Sequence, residues 1–338
     1  MRREPMILDR RQALASAAAG LVLMGAGCAP KAGGRTIRIA DAAGGLNLTI
    51  AALMKQQRSM EDFGLDPDVT MVADGSRILG GIVGGSTDAS FMSGFGQVFP
   101  AIARGADIRI IGGGILRPTL GLFTSKDDVR TLKDLEGKTV GSGSVGALTY
   151  QLTVTLLKKY GVDVAKVRFV NVGASADIFR AVSAGTVDAG VGQAAQVIDA
   201  AHYHVRLIDH GNMAEELTQF TYQAAWTSAK AIAERRDVLV RALAAHAKLY
   251  RFVQSAAAKP AFFTARQSVF PNARPADHEA EWDFIQRYKP FATDLMLDTG
   301  RIDYMQALNR SFGVQQTTLP FDRVADMSLA RDALKLLG

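Results

Sequence analysis

Two stretches decide the fold: GGSTDASFMSG at residues 84–94 and SAGTVDAGVGQ at residues 183–193. Each sets a glycine, two further residues, an aspartate and an alanine ahead of an apolar run. Gly85 and Gly185 suit the left-handed turn that ends a helix. Asp88 and Asp188 suit hydrogen bonding to turn amides before a strand begins. Any helix-to-strand junction favours these residue types, but the matching contexts on both sides imply an internal duplication and hence two similar lobes.

Outward from the first copy, TIRIADA (36–42) alternates as a strand does, and GGLNLTIAALMKQQRSMEDF (44–63) carries apolar residues at helical spacing, with Gly64 placed to stop it. A strand at VTMVA, a helix at SRILGGIVGG, a strand at DASFMS, a helix at GQVFPAIARG and a strand at DIRIIGGG complete a β-α-β-α-β-α-β order. That order builds a mainly parallel sheet flanked by helices. Around the second copy the order repeats: GLFTSK, the turn-helix KDLEG, KTVGSGS, the helix GALTYQLTVTLLKKYG, VRFVNV, the helix ADIFRAVSAG, VDAGVG, the short helix AAQVIDAAH and VRLID. In the strongest helix Leu148, Leu152, Thr155 and Leu156 share one face, which is expected to pack on its sheet. From about Ser228 the chain reads as mostly helical, punctuated by Pro260, Pro271, Pro275 and Pro290. Such a tail can pack back on the first lobe. The expected divisions are therefore a discontinuous first lobe at 36–118 and 227–338 and a second lobe at 119–226, with crossovers near 118–122 and 221–227.

Composition agrees with an α/β chain. The 338 residues exceed what one core needs, so two lobes of ~100–150 residues are expected. Only 7% are aromatic against 48% hydrophobic, which suits alanine-, valine- and glycine-rich layers better than an aromatic-rich β-barrel.

The N-terminus reads as an address. Arg2, Arg3, Arg10 and Arg11 precede the apolar run at residues 13–27, which is shorter than the ~20 residues that span a bilayer. DRRQALA resembles a twin-arginine signal, with Leu14 in place but Ala13 where an aromatic is preferred, so the Sec and twin-arginine routes both stay open. Gly25, Ala26, Gly27 and Cys28 resemble a lipobox, although Gly25 stands where leucine is usual. The alternative is an incidental cysteine near a cleavage site. A signal peptide at 1–27, lipidation at Cys28 and a tether at 28–35 follow from the first reading. Cys28 is the single cysteine, so no intramolecular disulfide can form.

Residues 1–27 hold four arginines against Glu4 and Asp9, so their removal lowers the formal charge of +6 by two. Lysine and arginine are scattered and interleaved with acids, as in AERRDVLVRALAAHAK, which gives no basic tract for nucleic acid.

Taken together, DGSRILGGIVGGSTDASFMSG (74–94), GADIRIIGG (105–113), DLEGKTVGSGSVGALTYQLTVTLLKKYGVD (134–163), DIFRAVSAGTVDAGVGQ (177–193) and MLDTGRIDYMQAL (296–308) resemble the periplasmic type II solute-binding proteins of the nitrate, alkanesulfonate, taurine and thiamine-precursor family. The resemblance covers almost all of the chain after the address. It implies a two-lobed clamshell with two hinge crossovers, a small-molecule solute between the lobes, and partnership with the permease and ATPase of an ABC transporter. An exported, periplasmic, membrane-anchored monomer is expected.

In open α/β lobes ligands bind outside the carboxyl ends of strands. Four loops qualify: Gly44 and Gly45 after TIRIADA, Ser93 and Gly94 after DASFMS, Ser144, Gly146 and Ala147 after KTVGSGS, and Gln193 after VDAGVG. The third combines serine hydroxyls with the free amides of a helix start, which favours an organic anion such as a sulfonate or carboxylate. Ser144 would serve equally as an ordinary helix cap. Trp226, with Tyr222, lies at the second crossover, where an aromatic face either lines the cleft or sits in the core.

Gly141, Gly143 and Gly146 form a literal GxGxxG between strand and helix. A dinucleotide site would want an acid at the end of the next strand, where VRFVNV offers Asn171, so no cofactor is expected. His202 and His204 are the only close histidine pair and have no neighbouring ligand set, so no metal is expected. No GxSxG elbow occurs, and no catalytic residue is assigned. The alternatives to an ABC receptor are a receptor of another transporter class and a pyrimidine-processing enzyme on the same scaffold.

Overall fold

The computed structural model describes residues 35–338 apart from 73, 74 and 146. The expected signal peptide at 1–27, Cys28, most of the expected tether and Gly146 of the third loop lie outside the described residues.

Two five-stranded sheets of the same order make up the fold. The first contains β1 (Thr36–Ala42), β2 (Asp66–Val72), β3 (Ala89–Ser93), β4 (Ile108–Gly113) and β10 (Ala224–Ser228), ordered β2-β1-β3-β10-β4. The second contains β5 (Leu120–Thr124), β6 (Thr139–Ser142), β7 (Arg168–Asn171), β8 (Ala189–Gln193) and β9 (Arg206–Asn212), ordered β7-β6-β8-β5-β9. β1 pairs parallel with β2 and β3, as β6 does with β7 and β8. In each sheet one strand runs antiparallel to both neighbours: β10 between β3 and β4, and β5 between β8 and β9. Each of these strands is the first the chain forms after crossing from the other sheet. The duplication read around Asp88 and Asp188 is thus a duplication of topology, closed by an exchange of one strand.

The strand exchange moves one boundary. Ala224–Trp226, placed by the sequence at the end of the second lobe, pair with β3 and β4 in the first sheet. Thr227 explains part of the attraction, because its hydroxyl donates to the Asp88 carbonyl at the start of β3 (2.5 Å).

The helices pack on the sheets as their apolar faces require. α1 (Gly45–Gln56), α2 (Gly75–Gly84) and α3 (Val98–Ala103) belong to the first half. α4 (Leu148–Lys159), α5 (Ser175–Ser183) and α6 (Met213–Glu216) belong to the second. Residues 194–203, expected as a short helix, wind as a 3₁₀-helix. The C-terminal region supplies α7 (Ala229–Val253), α8 (Lys259–Val269), α9 (Pro275–Tyr288), α10 (Thr299–Ser311), α11 (Phe321–Val324) and α12 (Ser328–Lys335). α8 packs on α1, and α7 and α12 pack against the first sheet.

α4 shows why its apolar stripe was readable. Leu152 and Leu156 are fully buried, and burying each contributes about 1.5–3 kcal/mol. Thr155 on the same stripe is buried, and so are Gln151 and Thr153 beside it, because α4 is covered on more than its sheet side. Leu148, by contrast, is only half-buried and reaches the first lobe.

Gly85 and Gly185 hold φ of 75° and 70°, the left-handed turns the sequence requires. The aspartates that follow reach further than their own turns. The Asp88 carboxylate accepts the Arg38 amide of β1, and that of Asp188 accepts the Thr139 amide of β6.

Candidate functional site

The four loops lie at the carboxyl ends of β1, β3, β6 and β8, where a parallel sheet directs helix N-termini toward a ligand. Gly44 caps α1 in an extended conformation, and Phe270 closes over Gly45: a Cβ there would lie 3.9 Å from the Phe270 ring. Asn47 ties two of the loops together, donating from one amide to the carbonyls of Ala42 and Met92, both at 2.8 Å.

The lobes touch just beyond these loops. A Cβ on Gly94 would stand 3.3 Å from Leu148 Cδ2, which brings the end of β3 against the start of α4. Two residues on, Asn309 of α10 donates to the Gly96 carbonyl (2.7 Å) and accepts from Gln151 of α4 (3.1 Å). A Cβ on Gly96 would sit 2.9 Å from Gln151 Oε1, so glycine is what permits the approach. Gln315 and Gln306 extend this buried amide network. On the other flank Ala280 and Phe284 of α9 cluster with Ala194, Ala195 and Ala214, and Arg274 donates to the Tyr203 hydroxyl. The lobes therefore meet on both sides of the candidate loops.

Ser144 is exposed, and its side chain does not cap α4: the cap is Ala147, which has no side-chain bond to offer. The Thr149 hydroxyl instead accepts the Gly143 amide (2.9 Å). The Ser144 hydroxyl is thus free of capping duty beside the helix start. Gln193 is half-buried, and its amide is taken by Gln196 Oε1 (2.7 Å).

Ser93 and Trp226 are brought into direct contact but inside the core. Trp226, a candidate to line the cleft with its ring, is instead fully buried in the first sheet. Its indole N–H donates to Ser93 Oγ (2.9 Å). The Ser93 and Ser90 hydroxyls are 2.5 Å apart, and Ser90 donates to Asp41 Oδ1 (2.8 Å). Since the Ser90 proton is committed to Asp41, Ser93 donates to Ser90, and a one-way chain runs from Trp226 to the carboxylate. Tyr222 is also buried.

Asp41 was not among the residues the sequence singled out. Period-two alternation puts it on the same face as the buried Ile37 and Ile39, and an acid on such a face was the available signal. It is 2% exposed, and its Oδ1 also accepts the amides of Phe91 and Met92, both at 2.7 Å. Burial pushes its carboxyl above the usual carboxylate range, against the pull of the Met92, Ser90 and Phe91 donors. Among the described residues no group of three or more His, Cys, Asp or Glu is placed to hold a metal ion. Two surface cavities, of about 440 Å³ beside Arg310 and Gln315 and about 300 Å³ beside Thr218 and Arg301, are lined by no residue of the four loops.

The NMT1/THI5 like family model matches residues 61–260, more than half of the chain and spanning three of the four loops. The chain belongs to the NMT1/THI5-like family. The fold is also that of solved periplasmic binding proteins. The alkanesulfonate-binding protein SsuA from Xanthomonas axonopodis pv. citri, bound to MOPS, is 19% identical, with 89% of this chain and 98% of that one covered and a TM-score of 0.69. The periplasmic aliphatic sulphonate binding protein SsuA from Escherichia coli is 15% identical, covering 88% and 99%, with a TM-score of 0.70. The desulfurization enzyme DSZB is 14% identical, covering 90% and 99%, with a TM-score of 0.62. No curated protein matches the sequence.

As an NMT1/THI5-like protein the chain has the two-lobed α/β architecture, and its candidate loops occupy the strand ends where the two lobes approach.

Proposed function

We propose that this NMT1/THI5-like protein is an exported solute-binding protein that closes its two lobes on a small organic anion and delivers it to the permease and ATPase of an ABC importer. The observation that carries the reading is the apposition of Gly94 and Leu148, which sets the end of β3 in one lobe against the start of α4 in the other. Ser144 stands exposed beside that helix start with no capping role. The first amides of a helix and its partial positive charge favour an anion there. A sulfonate fits this chemistry, and the two SsuA structures that share the fold are of sulfonate-binding proteins. A carboxylate fits it as well.

The ligand-binding set in this reading is Gly44, Gly45, Gly94, Ser144, Gly146, Ala147 and Gln193, with Ser93 and Trp226 supporting the floor of the first lobe. The hinge segments are residues 114–119 and 217–223, between the strands of the two sheets. Secretion through the N-terminal address, lipidation of Cys28 and a monomeric state complete the proposal.

DSZB shares the fold and is an enzyme, so capture must be separated from turnover. A thermal-shift screen against sulfonates, inorganic anions, aromatic acids, pyrimidines and nicotinamide cofactors does the first part. A native-state ligand raises the melting temperature in a saturable way. Stabilisation by sulfonates or carboxylates supports the reading, and stabilisation by dinucleotides alone removes it.

A further inference from the structure

Arg301 stands in the first turn of α10 and lines a cavity of about 300 Å³ together with Thr218, Gln219, Asp298 and Gly300. Its Nη1 is buried and has no partner. Among the described residues its guanidinium makes no side-chain hydrogen bond and no ion pair. Other arginines drawn back from solvent each reach a carboxylate: Arg235 meets Asp88, Arg266 meets Glu281 and Arg274 meets Asp277. In the larger cavity Arg310 is bonded to the Thr318 hydroxyl (3.4 Å).

A guanidinium keeps its charge inside a protein, and withdrawing part of it from water without an acceptor is costly. Arg301 is partly buried, so it carries that cost. The acid beside it does not offset the cost, because Asp298 Oδ1 accepts the Arg301 amide (2.8 Å) as the cap of α10 and the carboxylate forms no ion pair with the guanidinium. Across the cavity the exposed Thr218 hydroxyl and Gln219 amide add neutral donors, which make no side-chain bond among the described residues. The wall therefore joins one unpaired cation to two donors, on a connection between the two sheets and outside the four loops. A pair of oxygens on one anion matches the planar fork of a guanidinium.

We propose that the Arg301 cavity is a second binding site, for a small oxyanion, in which two anion oxygens face the Arg301 guanidinium and Thr218 and Gln219 donate from the opposite wall. The site is separate from the solute cleft and stands whether or not the solute-binding reading holds. Carboxylate, sulfate and phosphate share the required pair of oxygens, and the test compares all three. Asp298 limits affinity, since its negative charge lines the same wall.

The experiment is calorimetric titration of the full-length chain with sodium acetate, sulfate and phosphate in low-salt Tris chloride, at two temperatures so that a binding heat near zero at one is seen at the other. At least one of the three is expected to bind saturably. Arg301→Gln should weaken that binding about ten-fold or more, the scale of hydrogen bonds to a charged group. Asp298→Asn keeps a good cap for α10 and removes the repelling charge, so it should tighten binding by about three-fold. Ser144→Ala tests the cleft and should leave this binding as it is. Saturable binding of none of the three by the wild-type chain overturns the proposal, as does binding that Arg301→Gln leaves unchanged. Weakening by Ser144→Ala alone places the anion in the cleft, which overturns this site and leaves the proposed function standing. Should Arg301→Gln melt below the assay temperature, Asp298→Asn decides: tighter binding supports the site, and unchanged or weaker binding overturns it.

Discussion

Asp88 and Asp188 make the same bonds in the two lobes. Each carboxylate accepts a main-chain amide of the neighbouring parallel strand, Arg38 N of β1 for Asp88 and Thr139 N of β6 for Asp188, both at 2.8 Å. The main-chain amide of each aspartate donates back to the carbonyl of that strand residue, Asp88 N to Arg38 O at 2.8 Å and Asp188 N to Thr139 O at 2.9 Å. The main-chain carbonyl of each aspartate accepts a threonine hydroxyl from the antiparallel strand, Asp88 from Thr227 on β10 (2.5 Å) and Asp188 from Thr124 on β5 (2.6 Å). One aspartate therefore pins three strands at the base of each sheet, including the strand that arrives from the other lobe.

The two copies differ in their cations. Asp88 also pairs with Arg38 and with Arg235, which sits at the non-helical residue inside α7 (φ −140°) and thereby joins the C-terminal region to the first lobe. Burial works against the Asp88 charge, but the hydrogen bonds from Arg38 and Arg235 and the charge of Arg235 win and hold its carboxyl below the usual range. Asp88→Ala strands two guanidinium groups, one of them largely buried, and is expected to cost about 3 kcal/mol. Asp188→Ala loses a bond to one amide, at about 1–2 kcal/mol. Urea unfolding of the two variants beside the wild type measures the difference, and equal losses contradict the assigned roles.

Ser144 and Ser93 separate contact from support. Ser144 is exposed and caps nothing, so Ser144→Ala should leave the melting temperature unchanged and weaken binding of the stabilising anion by roughly five-fold, the value of one hydrogen bond. Ser93→Ala leaves the Trp226 indole N–H buried without an acceptor and should destabilise by about 1–3 kcal/mol. Paired melting and titration curves check both. A Ser144→Ala chain that melts lower but binds normally would return Ser144 to a structural role.

Gln151 and Asn309 are expected to act on closure. Gln151→Leu removes the bond from α4 to Asn309 and leaves Asn309 Oδ1 buried, at a cost of about 1 kcal/mol that falls on the closed arrangement. Affinity should drop roughly five-fold, with a larger radius of gyration for the unliganded chain in small-angle scattering. Gly96→Ala presses on the same contact and should act in the same direction. No change in scattering or affinity for either variant sets this network apart from closure.

His246 gives the fold an acid-sensitive point. Its ring is buried, stacked on Phe91 at 4.1 Å and bonded through Nδ1 to the Ala242 carbonyl. Burial pulls its pKa down to about 4, against which the Ala242 carbonyl is the weaker influence. The unfolded chain binds this proton near pH 6.5 and the folded chain only near pH 4, so stability falls as pH drops through that window. The loss is on the order of 3 kcal/mol by pH 4. His246→Gln should show a flatter dependence of melting temperature on pH between 7 and 4.5 than the wild type. Parallel curves for the two proteins would contradict the assignment.

The sequence made the duplication legible because the Asp88 and Asp188 junctions depend on local chemistry, a left-handed glycine and a short acid. The order of strands and helices followed from periodicity for the same reason. The placement of β10 did not, because Ala224–Ser228 is a short apolar run that suits either sheet, and the choice is made by distant partners such as Asp88 and Ser93. The loops at the strand ends were readable from topology alone. Asp41 and the Gln151–Asn309 contact were not, since their importance lies in which polar atoms meet across elements far apart in sequence. Trp226 marks the same limit: an aromatic near a crossover has the same spacing whether its ring faces a ligand or a core.

The most direct test of the account is equilibrium dialysis of the full-length chain with the anion that stabilises it, followed by recovery and chemical identification of the solute. The account predicts saturation at one solute per chain and recovery of the solute unchanged. Conversion of the solute to a product, or the absence of saturable binding by any sulfonate or carboxylate, would contradict it.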